Sequence, residues 1–404
     1  MRLRHVVLDQ FRTYSHLDLD IPPQGLRISG SNASGKTSIL EALVMLSTTR
    51  SPRASSDRDV VRWHSGEDYG VRPYSRVEVA IDTCGGERMV GINVELDPDR
   101  QALARKQFLL NGEHVRAHDL VGALKCVLFS PEDVLLVSGP PAERRRQTDI
   151  LVSQIDRSYL RALSQYGKVL AQRNQLLKRF ARERRSARDS AAVNEISFWD
   201  EEIVSSGSIV MAHRASIAER VRDLVQKRSG DLVSGSEIGF EYLPRLELPH
   251  GDLTGDLEHD RRHIAAHFQS ALDEVRTEEF RRGMTVSGPH RDDFAFLIEG
   301  RPLSAFGSRG QQRLGVVAYR LAEIDIIDER SGERPVLLLD DVLSELDGVH
   351  RDKLLTAVAG CGCQILVTST DASTLDHPLL RDLPDARLDN GSLHIENVQM
   401  SPSD

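Results

Sequence analysis

The chain has 404 residues, enough for two or three domains with full-sized cores, with 28% charged and 40% hydrophobic residues, the composition of an ordinary soluble protein. Its net charge of −9 excludes a uniformly basic nucleic-acid binder, so any affinity for DNA must come from a local patch. No run of about 18 apolar residues occurs, which excludes a helix spanning a membrane.

Met1-Arg2-Leu3-Arg4-His5 leads directly into a strand without the apolar block of a signal peptide. Leu3, Val6, Leu8 and then Leu17, Leu19, Ile21 alternate as two strands, with Phe11-Arg12-Thr13-Tyr14 between them. An apolar lead-in (Leu26, Ile28) then enters a small, Gly-flanked loop, followed by the helical spacing of Ile39, Leu40, Ala42 and Leu43. That helix ends in the polar stretch Ser47–Arg53. From about 74 to 116 the pattern has period two, broken by turn signals at Gly85-Gly86, Asp97-Pro98 and Asn111-Gly112, which predicts an antiparallel β-layer.

Phe129–Asp133 and Gly139-Pro140-Pro141 mark a boundary beyond which the chain turns helical. Leu160, Leu163, Tyr166, Leu170 and Leu177 form one stripe; Ile196, Ile203, Val210, Ile217 and Leu224 repeat every seven residues. The partner heptad position is mixed (Trp199, Ser206, His213, Arg220), which predicts packed arm helices rather than a long supercoil. The arm runs to about residue 282 through a short strand-like piece (Ile238, Phe240, Tyr242) and another helix. Phe294, Phe296 and Ile298 alternate before a Glu299-Gly300 turn. A helix follows Gly310, the apolar run Val336–Leu339 ends in Asp340-Asp341, and Gln364–Thr368 is expected to close the sheet, ahead of a frayed tail from Asn397. Three segments result: 1–130, the first half of a head; 131–282, a helical arm; and 283–404, the second half of the head. Cys84, Cys126, Cys361 and Cys363 are scattered, and Cys361-Gly-Cys363 is too tight for a usual zinc knuckle. Buried reduced thiols and a cytoplasmic protein are expected.

Gly30-Ser31-Asn32-Ala33-Ser34-Gly35-Lys36-Thr37-Ser38 carries the spacing of a phosphate-binding loop between a strand and a helix. Small residues let successive backbone N–H groups turn towards the β- and γ-phosphates of ATP, and the helix N-terminus adds its dipole. Lys36 supplies positive charge and Thr37 a hydroxyl for Mg²⁺. Four apolar residues ending in Asp340 and Asp341 read as a buried parallel strand with its carboxylates at the ligand end of a sheet. Asp340 is the second Mg²⁺ residue, and Asp341 is placed to polarise an attacking water. The long separation of Lys36 from Asp340 calls for a split head with an insertion.

Ser308-Arg309-Gly310-Gln311-Gln312, just before a helix, matches the core of the ABC-type signature, which in that class faces the nucleotide of a second subunit; a bland Ser/Gly turn is the competing reading. Ser344-Glu345-Leu346-Asp347 looks like the D-loop of a dimer contact. His290 and Arg291, in Gly288–Asp293, are candidates for phosphate or DNA contacts, or belong to a solvated turn. For DNA the strongest patch is Lys178, Arg179, Arg182, Arg184, Arg185 and Arg188, joined by Arg173, with Arg144, Arg145 and Arg146 adding to it. The competing reading is a solvated helix end that complements its own dipole.

With these stretches in order, the chain resembles the RecF family of bacterial recombination mediators over essentially its full length. The resemblance rests on Phe11–Tyr14, the phosphate loop with Leu40-Glu41-Ala42, Phe129–Asp133 with Gly139-Pro140-Pro141-x-x-Arg144-Arg145, Gly288–Asp293, Gly307–Arg313 and Leu339–Asp347. It implies an α/β, ABC/SMC/Rad50-like ATPase head, with a mixed sheet and an antiparallel β-layer, carrying an inserted helical arm. It further implies an ATP-dependent homodimer that binds duplex and gapped DNA, works with a RecR-type partner, and helps load RecA at single-strand gaps. Asn32-Ala33-Ser34 stands where the family loop is richer in glycine, and Gln147-Thr148 where it has an aromatic-apolar pair. Thr370-Asp371 lies where transporter-type relatives carry a switch histidine, and Asp341 is one methylene shorter than the usual Glu, which predicts slow turnover. Three other readings stay open: a transporter's ATPase subunit, against which the basic arm counts; an ATPase-nuclease, for which no acidic metal-binding domain follows the head; and a DNA clamp without turnover.

Overall fold

The computed structural model describes residues 1–67, 70–97, 104–232, 237–247, 253–344, 346–389 and 392–396. Pro98 of the expected turn, Glu345 and the tail from Asn397 lie outside them. The chain divides into two compact units, Met1–Val134 with Val316–Asp404, and Leu135–Gly315.

The first unit opens with β1 (Arg2–Phe11), β2 (Tyr14–Asp20), β3 (Gly25–Gly30) and α1 (Lys36–Thr48). β4 (Tyr74–Thr83), β5 (Gly86–Leu96), β6 (Ala104–Leu110), β7 (Glu113–Val115), the single turn α2 (Ala117–Leu120) and β8 (Cys126–Phe129) follow. β2-β1-β4-β5-β6-β7 form one antiparallel sheet. Its tight hairpin between β6 and β7 uses Asn111 (φ 53°) and Gly112 (φ 81°), both left-handed, as a two-residue turn of primed type requires. Leu3, Val6, Leu8, Val77, Val79, Ile81, Val90 and Ile92 point from this sheet into one core with Leu26, Ile28, Ile39, Leu43 and Leu338. Cys84 departs from the expected buried thiol: it is exposed in the β4–β5 turn, whereas Cys126 and Cys361 are buried.

The second unit contains α3 (Leu135–Ser138), α4 (Pro141–Ile155), α5 (Arg157–Arg182), the long α6 (Ser190–Leu232), β9 (Ile238–Leu243) and α7 (Leu257–Arg282). β10 (Asp293–Ile298), β11 (Arg301–Pro302) and α8 (Leu303–Phe306) complete it. Ile196, Ile203, Val210, Ile217 and Leu224 are all buried along α6, as their seven-residue repeat demands. On α5 the buried stripe is Tyr159, Ala162, Tyr166, Val169, Arg173, Leu177, Phe180. It matches the expected stripe at Tyr166 and Leu177 and lies one residue N-terminal to it at Tyr159, Ala162 and Val169, with Arg173 buried in the same stripe. β9 pairs antiparallel with β10 in the order β11-β10-β9. That pairing draws residues 283–315, which the sequence assigned to the head, into the unit of the arm helices.

The chain continues through α9 (Arg309–Ser331) to β12 (Val336–Asp340), α10 (Gly348–Gly360), β13 (Ile365–Ser369), β14 (Asp385–Asp389) and β15 (Ser392–Glu396). The second sheet of the first unit has the order β15-β14-β3-β13-β12-β8, parallel except for the β14–β15 hairpin. β13 therefore does not close the sheet. It sits between β3 and β12, and two short polar strands that carry little hydrophobic signal extend the β3 side. This order sets the carboxyl ends of β3 and β12 on either side of β13, where such sheets hold ligands.

Candidate nucleotide site and basic arm

The loop after β3 folds around its own lysine. Lys36, only 6% exposed, donates from Nζ to the carbonyls of Gly30 and Ser31, both at 2.8 Å. Burial pulls its ammonium below the usual lysine range, against the opposing attraction of Asp341 and Asp340. Gly35 has φ 110°, and a Cβ there would lie 2.7 Å from the Tyr14 hydroxyl and 2.9 Å from Thr13 Oγ1. Tyr14 O–H donates to the Gly35 carbonyl at 3.1 Å, so the β1–β2 turn supports the phosphate loop from beneath.

At the other strand, Thr37 Oγ1 donates to Asp340 Oδ1 at 2.9 Å. Thr368 Oγ1 on β13 donates to the same oxygen at 2.9 Å. Asp340 is 8% exposed, and burial raises its pKa while the Thr37 and Thr368 hydroxyls pull the other way. Asp341 takes a left-handed backbone (φ 51°), which a short polar side chain tolerates better than most. Its Oδ1 accepts from Ser344 Oγ at 2.8 Å and from the Thr370 N–H at 3.4 Å. Asp347 caps α10, accepting from the His350 N–H at 3.0 Å. Within this unit, then, Lys36, Thr37, Asp340, Asp341 and Ser344 stand together. Ser31, Asn32, Ala33 and Ser38 line the same loop and first helical turn.

The residues fit a nucleotide with Mg²⁺. Ser34 Oγ is buried in the loop without a hydrogen-bond partner, the backbone around Gly35 leaves room only for glycine, and the Thr37–Asp340 pair offers the hard oxygen donors that Mg²⁺ takes.

Three features of this site escaped the motif reading. Arg12 makes a bidentate contact with the buried Glu41 of α1 (3.0 and 2.6 Å), and Ser51 Oγ adds a bond to the same carboxylate at 2.5 Å. Phe11–Tyr14 and Leu40-Glu41-Ala42 are thus two halves of one clamp. The register Phe129↔Leu339 between β8 and β12 brings the residues after Phe129 to the same end of the sheet as Asp340. There Glu132 faces Arg53 at 3.9 Å, and both charges are felt by Asp340. Asp133 in turn holds the buried Arg320 through two bonds, at 2.8 and 3.0 Å.

The signature stretch lies on the second unit. Ser308 Oγ accepts from the Gln311 N–H at 3.2 Å and Gln311 Oε1 accepts from the Ser308 N–H at 2.8 Å. This reciprocal capping box sets the start of α9 and leaves Ser308 exposed, with Gly310 in the first turn. Gln311 is therefore occupied in the cap.

The basic residues separate into two groups. Arg144 is bidentate to Asp293 (2.8 and 3.0 Å), and Arg145 donates to the Asp292 carbonyl at 2.6 Å. Arg173 does not join the surface patch: it is 1% exposed and bonded to Asp200, Glu279 and Thr285. Arg179 and Arg185 pair with Glu195 beside the Phe180 ring. Lys178, Arg182, Arg184 and Arg188 are exposed around the end of α5. His290 is half-buried: Nδ1 meets the Tyr166 hydroxyl at 2.5 Å and Nε2 the Thr285 carbonyl at 3.2 Å, which leaves Arg291 as the exposed member of its turn.

No helix among the described residues is long and apolar enough to cross a membrane. The family model for the RecF/RecN/SMC N-terminal domain matches residues 2–378. The DNA replication and repair protein RecF of Thermomicrobium roseum is 41% identical over 402 residues, covering 97% of this chain and 99% of that protein. Its counterpart from Bacillus subtilis is 34% identical, covering 97% and 100%. Among solved structures, the recombination mediator RecF with ATP superposes with a TM-score of 0.83 at 26% identity, covering 98% of both chains. The Smc head domain of Pyrococcus furiosus shares the fold (TM-score 0.53, 15% identity, 98% and 96% covered). With this match along nearly its whole length, the chain belongs to the RecF family, within the RecF/RecN/SMC group of ABC-like ATPases.

Proposed function

We propose that this chain is an ATP-driven switch on DNA in recombinational repair and replication. In this reading ATP closes two copies on duplex or gapped DNA in the cytoplasm. With a RecR-type partner the closed dimer promotes RecA loading at single-strand gaps, and slow, DNA-stimulated hydrolysis reopens it. The observation that carries the reading is the Thr37–Asp340 hydrogen bond, which joins the phosphate loop to the end of β12 as one Mg²⁺-ready site. The names of its relatives, proteins of DNA replication and repair, supply the setting.

The chain's own residues then act as follows. Lys36 leaves the carbonyls of Gly30 and Ser31 for the β- and γ-phosphates, and the loop N–H groups with Ser34 Oγ hold the remaining oxygens. Thr37 and Asp340 hold Mg²⁺, which when bound neutralises developing phosphate charge. Asp341 polarises the attacking water, after its carboxylate gives up Ser344. Ser308 and the Gly310 N–H serve the nucleotide of the second copy, so the site is complete only in the dimer, with Ser344 and Asp347 at the contact. Of the predicted patch, Lys178, Arg182, Arg184 and Arg188 are the exposed cations placed to follow a phosphate backbone; Arg179 must first exchange Glu195, and Arg185 both Asp189 and Glu195, for phosphate.

Fluorescence anisotropy on a gapped duplex, with ATP, ADP or no nucleotide across a salt series, tests this. Binding should require ATP, weaken with salt, and disappear in Ser308→Arg. Binding indifferent to nucleotide would sink the switch while leaving the ATP site intact.

A further inference from the structure

We propose that the groove between α6 and the outer edge of β9, within the second unit, docks a basic, extended segment of a partner protein by strand addition. A cavity of about 640 Å³ lies there. One wall is a single face of α6, formed by Ala215, Ala218, Glu219, Arg222 and Gln226. The other wall is β9, every residue of which from Glu237 to Tyr242 borders the cavity. A hollow above the face of a sheet would touch only alternate residues of a strand. The cavity therefore runs along the strand's edge.

β9 is the last strand in the order β11-β10-β9. The Glu299 N–H donates to the Glu237 carbonyl at 3.4 Å, and Glu241 stands opposite Ala295. This register turns the main-chain groups of Glu237, Gly239 and Glu241 towards β10, and those of Ile238, Phe240 and Tyr242 towards the outer edge. The Ile238 N–H donates to Ser229 Oγ of α6 at 3.2 Å, and Gln226 Nε2 donates to Glu237 Oε1 at 2.5 Å, which closes one end of the groove. Small residues keep the rest open: Ala215 and Ala218 present only methyl groups, and a Cβ at Gly239 would meet only Leu297 Cβ, at 3.6 Å.

Charge selects the occupant. Glu219, Glu237, Glu241 and Glu299 line the groove against one guanidinium, that of Arg222, and all five residues are exposed. Four carboxylates against one cation leave a net charge of −3 on the lining; the Gln226 amide is neutral and leaves the Glu237 charge in place. Arg222 itself lies 3.2 Å from Asp223. Such a groove repels a phosphate backbone and attracts lysine and arginine, while Ile238, Phe240 and Leu297 give it an apolar floor. An extended segment of about six residues, roughly 20 Å long, matches β9 and sets alternate side chains on the carboxylates and on the floor. The site is independent of the DNA reading. It also lies beneath the signature helix, because a Cβ at Gly315 of α9 would stand 3.4 Å from Ile238 Cδ1.

Hydrogen–deuterium exchange, resolved to single residues, tests the edge in the free protein. The Tyr242 N–H should exchange faster than the Glu241 N–H, which faces β10. Equal protection of the two would show the edge covered by the chain itself and overturn the proposal. Protection of Tyr242 that grows with protein concentration would assign the edge to a second copy and overturn it too. A fluorescein-labelled octapeptide of alternating lysine and valine is then titrated against the full chain, reading anisotropy. It should bind and slow the exchange at Tyr242, and an octapeptide of alternating glutamate and valine should not bind. N-methylation of the lysine-valine peptide at alternate residues removes the donors that strand addition needs, and should weaken binding at least about 5-fold. Glu219→Gln with Glu241→Gln should weaken it roughly 2- to 30-fold, as expected for two exposed ion pairs. Ala215→Phe grows into the cavity and should abolish binding, with the fold checked by circular dichroism. Failure of the lysine-valine peptide to bind would overturn the site. Binding that survives both N-methylation and Ala215→Phe would reduce the contact to diffuse charge and overturn it equally.

Discussion

Replacing Arg173 by methionine removes a guanidinium that is 1% exposed and leaves its anionic partners in place, Asp200 at 3% and Glu279 at 0%. The side chain now donates to Asp200 at 2.9 Å, Glu279 at 2.6 Å and Thr285 at 2.8 Å, tying α5 to α6, α7 and the segment after α7. Asp200 keeps a second cation, Arg276, at 3.6 Å. Among the described residues, Glu279 keeps only the Val286 N–H, at 2.9 Å. One nearly uncompensated buried carboxylate places the loss at about 3–5 kcal/mol, the range for breaking a buried ion pair from one side. Urea unfolding followed by circular dichroism measures it. Arg173→Met with Glu279→Gln should lose less than Arg173→Met alone, because the introduced amide still accepts from the Val286 N–H and carries no charge. Affinity for the gapped duplex, measured where the variant remains folded, should hold. A stability loss below about 1 kcal/mol, the level of exposed pairs, together with weakened DNA binding, would refute the core assignment and return Arg173 to the basic patch.

Gly35→Ala asks the loop to accept a side chain at φ 110°, 2.7 Å from the Tyr14 hydroxyl; strain of about 1–2 kcal/mol corresponds to roughly five- to thirty-fold weaker ATP binding in a fluorescent-nucleotide titration. Tyr14→Phe removes the bond to the Gly35 carbonyl and should cost about 1 kcal/mol of stability, with the lost affinity for ATP smaller than in Gly35→Ala. Burial pushes the His290 imidazole down to about 4, from 6.5. The unfolded chain therefore takes up that proton first, and the contribution is fully present above pH 6.5 and lost as pH falls towards 4, on the order of 2–3 kcal/mol. Between pH 7 and 4.5 the urea midpoint should fall further in the natural protein than in His290→Gln.

What could be read without the structure was chemistry written in short range. The phosphate loop is legible because Gly30, Gly35, Lys36 and Thr37 must be neighbours in sequence for one turn to cradle phosphates. Asp340 is legible because a strand buried on both faces has to be apolar until its end. Ser308 and Gln311 stood out by their match to the ABC-type signature, although the bonds they make to each other are those of a capping box, which serves any helix start. Arg173 and Arg144 misled because composition registers charge and not burial: their partners Glu279 and Asp293 lie over a hundred residues away, and only the packing of α5 on α7 and of α4 beside β10 brings them together. The clamp of Arg12 on Glu41 was hidden for the same reason, and so was the place of Glu132, which depends on β8 lying next to β12 in the sheet. β14 and β15 were missed because a five-residue strand with one or two apolar side chains carries almost no periodicity. The basic arm narrows accordingly. Once internal partners are assigned, the cations of the predicted patch left to meet a phosphate backbone, on the last turn of α5 and just beyond it, are those whose neighbours in space, and not merely in sequence, leave them uncommitted. Lys178, Arg182, Arg184 and Arg188 are therefore the substitutions that should reduce the salt dependence of binding, while Arg144 and Arg145 should reduce stability.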